Sequence, residues 1–154
     1  MPAELAQSGL TLRGQQRLRV WGFSVYDASL RTGPGFSAAR AETQMLALEL
    51  HYLRDIAAKD IAERSIQEMR RSGPMSAEQE SRWTAEMLRV LPNVRQGDRL
   101  LGLQRPGEAA VFWHNGRPCG EVKDAEFARR FFGIWLSPQT SEPALRQALL
   151  GGPS

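Results

Sequence analysis

The stretch LELHYLRDIAAKDIAERS, residues 48–65, changes its period part-way along. Over residues 44–53 the even positions Leu46, Leu48, Leu50 and Tyr52 are large and apolar. They alternate with Ala47, Glu49 and His51, the period of a half-buried strand, so His51 points away from the leucine face. From Ala58 onward Ile61, Ala62, Ser65, Ile66 and Met69 fall instead at helical spacing. Asp55 is placed to cap that helix by accepting from the free amides of its first turn, and Ser72 and Gly73 end it. A strand therefore runs straight into a helix, and the neighbouring elements decide how the pair is used.

Upstream, the aromatic and β-branched content of residues 17–30 predicts one strand with a bulge or bend near Gly22, closed by the turn-rich TGPGFSA of residues 32–38. Downstream, Ser76 and Gln79 form a capping-box pattern. Glu80, Trp83, Thr84, Met87, Leu88 and Leu91 then trace one face of a second helix that stops at Pro92. Residues 99–104, 109–114 and 117–122, separated by Pro106-Gly107 and Asn115-Gly116, read as an antiparallel meander. Asp124 caps a helix carrying Phe127, Phe131, Ile134 and Trp135; a last helix, capped by Ser141 and ended by Gly151, presents Leu145 and Leu149. The order strands, helices, strands, helices predicts an α+β fold, a mainly antiparallel sheet packed on a layer of helices. At 154 residues the chain fits a single domain over 1–154.

Composition bounds the function from outside. Lys and Arg number 20 against 17 Asp and Glu, all but Lys59 and Lys123 of the positive charge being arginine. The basic residues are interspersed with acids rather than clustered, which argues against nucleic acid as a partner. Cys119 is the only cysteine, so neither an intrachain disulfide nor a cysteine-rich zinc site can form. No apolar run reaches the length of a membrane span, and the first residues show no charged region followed by an apolar core. The expected location is periplasmic if an export signal has been removed and cytoplasmic if the chain is complete.

Strong catalytic motifs are missing: the sequence contains no P-loop, GxGxxG, HExxH or GxSxG and no Cys/His cluster at metal spacing. The weaker candidates each have an ordinary reading. His51 and Glu49 share a strand face and could form an acid/base pair, or simply a solvated polar pair. His114, at a hairpin tip in FWHNG, could ligate iron or flank a turn. The aromatics Trp21, Phe23, Phe112, Trp113, Phe131, Phe132 and Trp135 read first as core. Arg17 and Arg19 read as a charged outer strand face, whereas Arg13 stays open as a carboxylate anchor.

Several blocks taken together resemble the bacterial branch of the chalcone isomerase-like family: GLTLRG leading into FSVYDASL, LELHYLRDIAAKDIAERSIQEM, GDRLLGL, VFWHNGRPCGEV and EFARRFFGIWLSPQTSEPALRQALLG. The resemblance implies an open-faced sandwich with a ligand cleft between sheet and helices. In plant enzymes of that family a strand arginine activates the substrate, helped by a strand threonine, a helix tyrosine and asparagine, and a Ser/Thr on a later helix. Arg13 matches the arginine, while Trp21, Ala57, Arg64 and Ile134 stand near the other positions. The donors that would polarise a chalcone carbonyl are thus replaced, and no residue is assigned a catalytic role.

By resemblance to noncatalytic plant relatives, the leading expectation is a noncatalytic binding protein for an apolar carboxylate, fatty acid-like or haem. Its ligand-binding residues would be Arg13, Trp21, Arg64 and Ile134, with His51 or His114 as the axial ligand if haem binds. Two alternatives stand beside it: a chalcone isomerase-type intramolecular lyase or isomerase using Arg13, and a protein-interaction module without a ligand.

Overall fold

A computed structural model describes Leu5 and residues 7–152. Strands β1 (Thr11–Val20), β2 (Phe23–Thr32) and β3 (Leu46–Tyr52) precede helices α1 (Ala58–Met69) and α2 (Ala77–Val90). Strands β4 (Arg99–Arg105), β5 (Ala109–His114) and β6 (Arg117–Val122) follow, then α3 (Ala125–Leu136) and α4 (Pro143–Leu149). The six strands lie in sequence order and every neighbouring pair is antiparallel. This is the α+β meander under helices that the element order predicts.

The leucine face of β3 packs under the helices, where Leu46, Leu48 and Leu50 join Trp83, Met87, Phe127 and Phe132 in one cluster. On the opposite sheet face Ala47, Leu101, Leu103 and Trp113 form a second, smaller cluster with Leu5 over it. Asp124 links two helices, accepting the amides of Glu126 and Phe127 at 3.1 Å as the α3 cap and the Trp83 indole of α2 at 2.9 Å. Ser76 and Gln79 form the capping box at α2 that their spacing predicts.

Four local expectations give way. Residues 17–30 form a hairpin rather than one bent strand. Val20 pairs with Phe23 across a two-residue turn in which Trp21 (φ 53°) and Gly22 (φ 80°) are both left-handed, the geometry of a type I′ turn. A bulky residue is disfavoured there, so the Trp-Gly pair did not signal a turn. Trp21 and Phe23 are consequently exposed and not core.

Asp55 does not cap α1: its carboxylate accepts the Gln96 amide at 2.9 Å, and the Ala58 amide donates to Asn93 at 2.8 Å. A residue 35 positions away in sequence does the capping, which local spacing cannot reveal. Ser141 is not the α4 cap, since Glu142 occupies that position ahead of Pro143. Leu88 faces solvent, and Val90 takes the core place at the end of α2.

A cleft between sheet and helices

Where β1, β2 and β3 meet α1 and α3, the layers part to leave a cleft of about 640 Å³, within the usual size of a small-molecule site. Leu18, Tyr26, Leu50 and Tyr52 rise from the strands, and Ile61, Phe131, Ile134 and Trp135 close the helical side. Tyr26 and Tyr52 reach it because their alternating strand positions share the leucine face, paired directly across β2 and β3.

Within this apolar wall the two phenols stand edge to face, 5.6 Å between ring centres. The Trp135 indole donates to the Tyr26 oxygen at 2.9 Å. The Tyr52 hydroxyl has no hydrogen-bond partner among the described residues, and no buried side-chain oxygen is left sealed away unpaired, so it opens on the cleft. Burial pushes the Tyr26 phenol up to about 12 and raises that of Tyr52 further. Both therefore stay neutral O–H donors near neutral pH.

One end of the cleft is polar. Arg64 meets Glu68 at 3.0 Å, and Glu68 also accepts the Ser141 hydroxyl at 2.8 Å. Arg64 is largely exposed while Glu68 is nearly covered, so the guanidinium keeps donors free toward the rim. Arg64, Glu68 and Glu142 all act on the Tyr26 phenol, placing its hydroxyl within their field. The other end is an apolar lip built from Trp21 and Phe23, with the Arg54 guanidinium 5.6 Å from the Phe23 ring centre.

Trp21, Arg64 and Ile134 all line the cleft, but Arg13 does not. Its Nε donates to the Leu150 carbonyl at 2.9 Å beyond α4, and its guanidinium lies 4.8 Å from the Phe36 ring centre. Neither histidine lines the cleft either. His51 stands in register between Asp27 and Arg99, on the sheet face away from the helices. His114 Nε2 lies 2.9 Å from Asp98. That contact, with the Arg95 amide and the Asn115 side chain, holds the Asp98 carboxyl down to about 2. The cleft thus offers haem iron no histidine.

The family model described as chalcone isomerase-like matches residues 2–151 of this sequence. The chain belongs to the chalcone isomerase-like family. Among the solved structures it matches is a fatty-acid binding protein of Arabidopsis thaliana, with a TM-score of 0.68 over 94% of this chain and 88% of that one. At 11% identity the likeness is one of fold. No curated protein matches the sequence.

Trp21, Ala57, Arg64 and Ile134, the positions that the sequence resemblance sets near polar groups of the plant enzymes, all line this one cavity. Three of the four side chains are hydrocarbon or aromatic, and the fourth is already bonded to Glu68. Two hydroxyls on the cleft wall, those of Tyr26 and Tyr52, were not singled out by sequence reasoning. Tyr52 was counted with the leucines of its strand face. A tyrosine at a core position was the available signal, since its hydroxyl needs a partner when buried.

Proposed function

We propose that the cleft binds an apolar, chain-like carboxylate without converting it. The observation that carries this reading is the Tyr52 hydroxyl: a donor on a nearly buried ring, with no protein acceptor among the described residues, that opens on a mainly apolar cavity. A carboxylate oxygen of a bound ligand can accept from this donor, and a hydrogen bond to a charged group contributes about 1.5–3 kcal/mol. In this reading the head group lies at the polar end, taking hydrogen bonds from Tyr52 and Tyr26 and charge from Arg64. Trp21 and Ile134 line the path of the chain.

Three considerations support it. The apolar lining suits a hydrocarbon chain; the matched Arabidopsis structure is that of a fatty-acid binding protein; and Trp21, Ala57 and Ile134, three of the four positions that the resemblance sets near the plant catalytic groups, carry no hydroxyl or amide donor on the ring or chain they present in place of those groups. Arg13, held at the end of α4, is replaced by Arg64 as the anchor. Haem, also an apolar carboxylate, fits less well because neither histidine lines the cavity. The resemblance of its sequence blocks supports the bacterial branch of the family as its place.

Calorimetric titration with oleate below its micelle concentration tests the proposal. Saturable binding of one oleate per chain is expected, weakened about tenfold by Arg64→Ala, the size of a lost charge-assisted contact. Binding that is absent, or that Arg64→Ala and a cleft-filling Ala57→Phe both leave unchanged, would overturn it. Turnover of a chalcone substrate would overturn its noncatalytic part.

A further inference from the structure

The β1–β2 hairpin ends in two side chains that folding does not use. Trp21 is 93% exposed and Phe23 63% exposed. Trp21 also occupies a left-handed backbone position, at φ 53°, where Asn or Gly would sit without strain. A large aromatic side chain held in solvent at a strained turn position is unfavourable for the isolated molecule. Its benefit therefore has to come from something it touches.

Two guanidiniums accompany it. Arg19, next to the turn, and Arg54, packed on Phe23, have no carboxylate partner among the described residues. Arg17, by contrast, is bonded to Asp27 through two contacts of 2.8 and 3.1 Å. The tip therefore presents an indole, a phenyl ring and two guanidiniums outside any ion pair among the described residues, Arg19 still within the field of Asp27, on a chain of net charge +3.

Indole rings settle at the boundary between lipid headgroups and acyl chains, and arginines are drawn to anionic headgroups. We propose that the Trp21-Gly22 hairpin tip docks on the surface of an anionic lipid bilayer and opens the cleft toward it. This inference rests on the ligand-binding reading above. Trp21 and Phe23 form the lip of the cleft, and Arg64 and Glu68 lie about 9 and 15 Å along α1 from its first residue, Ala58, at 1.5 Å per residue. A carboxylate leaving the bilayer head first would pass the lip and meet Tyr26, Tyr52 and Arg64, with its chain following. No span is involved: among the described residues no helix is long and apolar enough to cross a membrane.

Co-sedimentation with extruded vesicles of phosphatidylcholine, with and without phosphatidylglycerol, tests the docking. Trp83 and Trp113 are buried and Trp135 lines the cleft, so the part of the fluorescence change that Trp21→Asn removes is the part that reports Trp21. The expected result is binding to the anionic vesicles with a blue-shifted emission, weakened by added salt and about fivefold by each of Arg19→Gln and Arg54→Gln. Trp21→Asn, which suits the turn and preserves the fold, should remove the blue shift and at least tenfold of the affinity.

Absence of vesicle binding, or binding that Trp21→Asn leaves intact, would overturn the inference. So would concentration-dependent dimerisation through the tip, abolished by Trp21→Asn without any vesicle effect. Oleate titration in vesicle-free buffer separates the two readings. Oleate binding without vesicle binding removes the docking alone, whereas vesicle binding without oleate binding counts against the cleft reading alone.

Discussion

Tyr52 is the residue on which the functional reading turns, because it combines near-complete burial with an unpartnered hydroxyl. Tyr52→Phe removes the donor and leaves the ring contact with Tyr26 in place. Thermal melts should show stability unchanged or slightly higher, since no protein hydrogen bond is lost. Oleate affinity should fall roughly fivefold to tenfold, the worth of about 1 kcal/mol. A variant that melts well below the wild type would mean that the hydroxyl serves the fold.

Asp98 gives a contrasting residue-scale prediction. Its carboxyl titrates lower in the folded protein, about 2 against 3.8, chiefly through the His114 bond. A depressed carboxyl stabilises the folded state at pH above the unfolded value, and that contribution is lost as pH falls from about 4 toward 2. Acid-unfolding curves of Asp98→Asn should therefore be flatter over that window than those of wild type. The difference near neutral pH should be about 1 kcal/mol after solvent screening. Histidine spacing alone could not assign His114 this structural role, because its partner lies 16 positions away, at the other chain end of the β4–β5 hairpin.

At the scale of elements, the last four strands and the two middle helices were legible because period and turn chemistry agreed in each. Leu46 to Tyr52 alternates, Asn115-Gly116 suits a left-handed turn, and Ser76 with Gln79 completes a box. The first hairpin was not, because Trp21 sits where turn chemistry favours Asn or Gly. The junction of β1 with α4 was equally hidden. There a Cβ on Gly14 would stand 2.1 Å from the Ala148 carbonyl oxygen and 2.6 Å from that of Leu149. Both obstacles are backbone, so Gly14→Ala should cost about 1–3 kcal/mol and loosen α4 from the sheet. Hydrogen exchange should then report faster amides in α4 with β4 and β5 unaffected; uniform protection would show that α4 relaxes without loss. Ser76→Ala, by comparison, should lower stability by about 1 kcal/mol, read from the urea midpoint.

At the scale of the whole molecule, the sheet's two faces have different partners. The helix-side cluster carries most of the core, and the layers part at the β1–β3 end, where side chains from seven separate elements meet around the cleft. Such a cavity has no local sequence signature, since it is the space left by side chains far apart in the chain. Block order nevertheless placed Trp21, Arg64 and Ile134 around it, while Arg13, matched through its distance to Val25 and Tyr26, points to the α4 terminus. The hairpin turn between Arg13 and Tyr26 folds that segment back on itself, so a distance counted along the chain does not become a position in the cavity.

Native mass spectrometry of the freshly purified protein, with its absorbance spectrum, tests the central claim most directly, because a cavity with an unpartnered donor should retain a ligand of the right chemistry. The account predicts a co-purified mass corresponding to a long-chain carboxylic acid, displaced by added oleate, and no Soret band. A clean apo mass that oleate does not shift, or a Soret band carried by the protein, would contradict it.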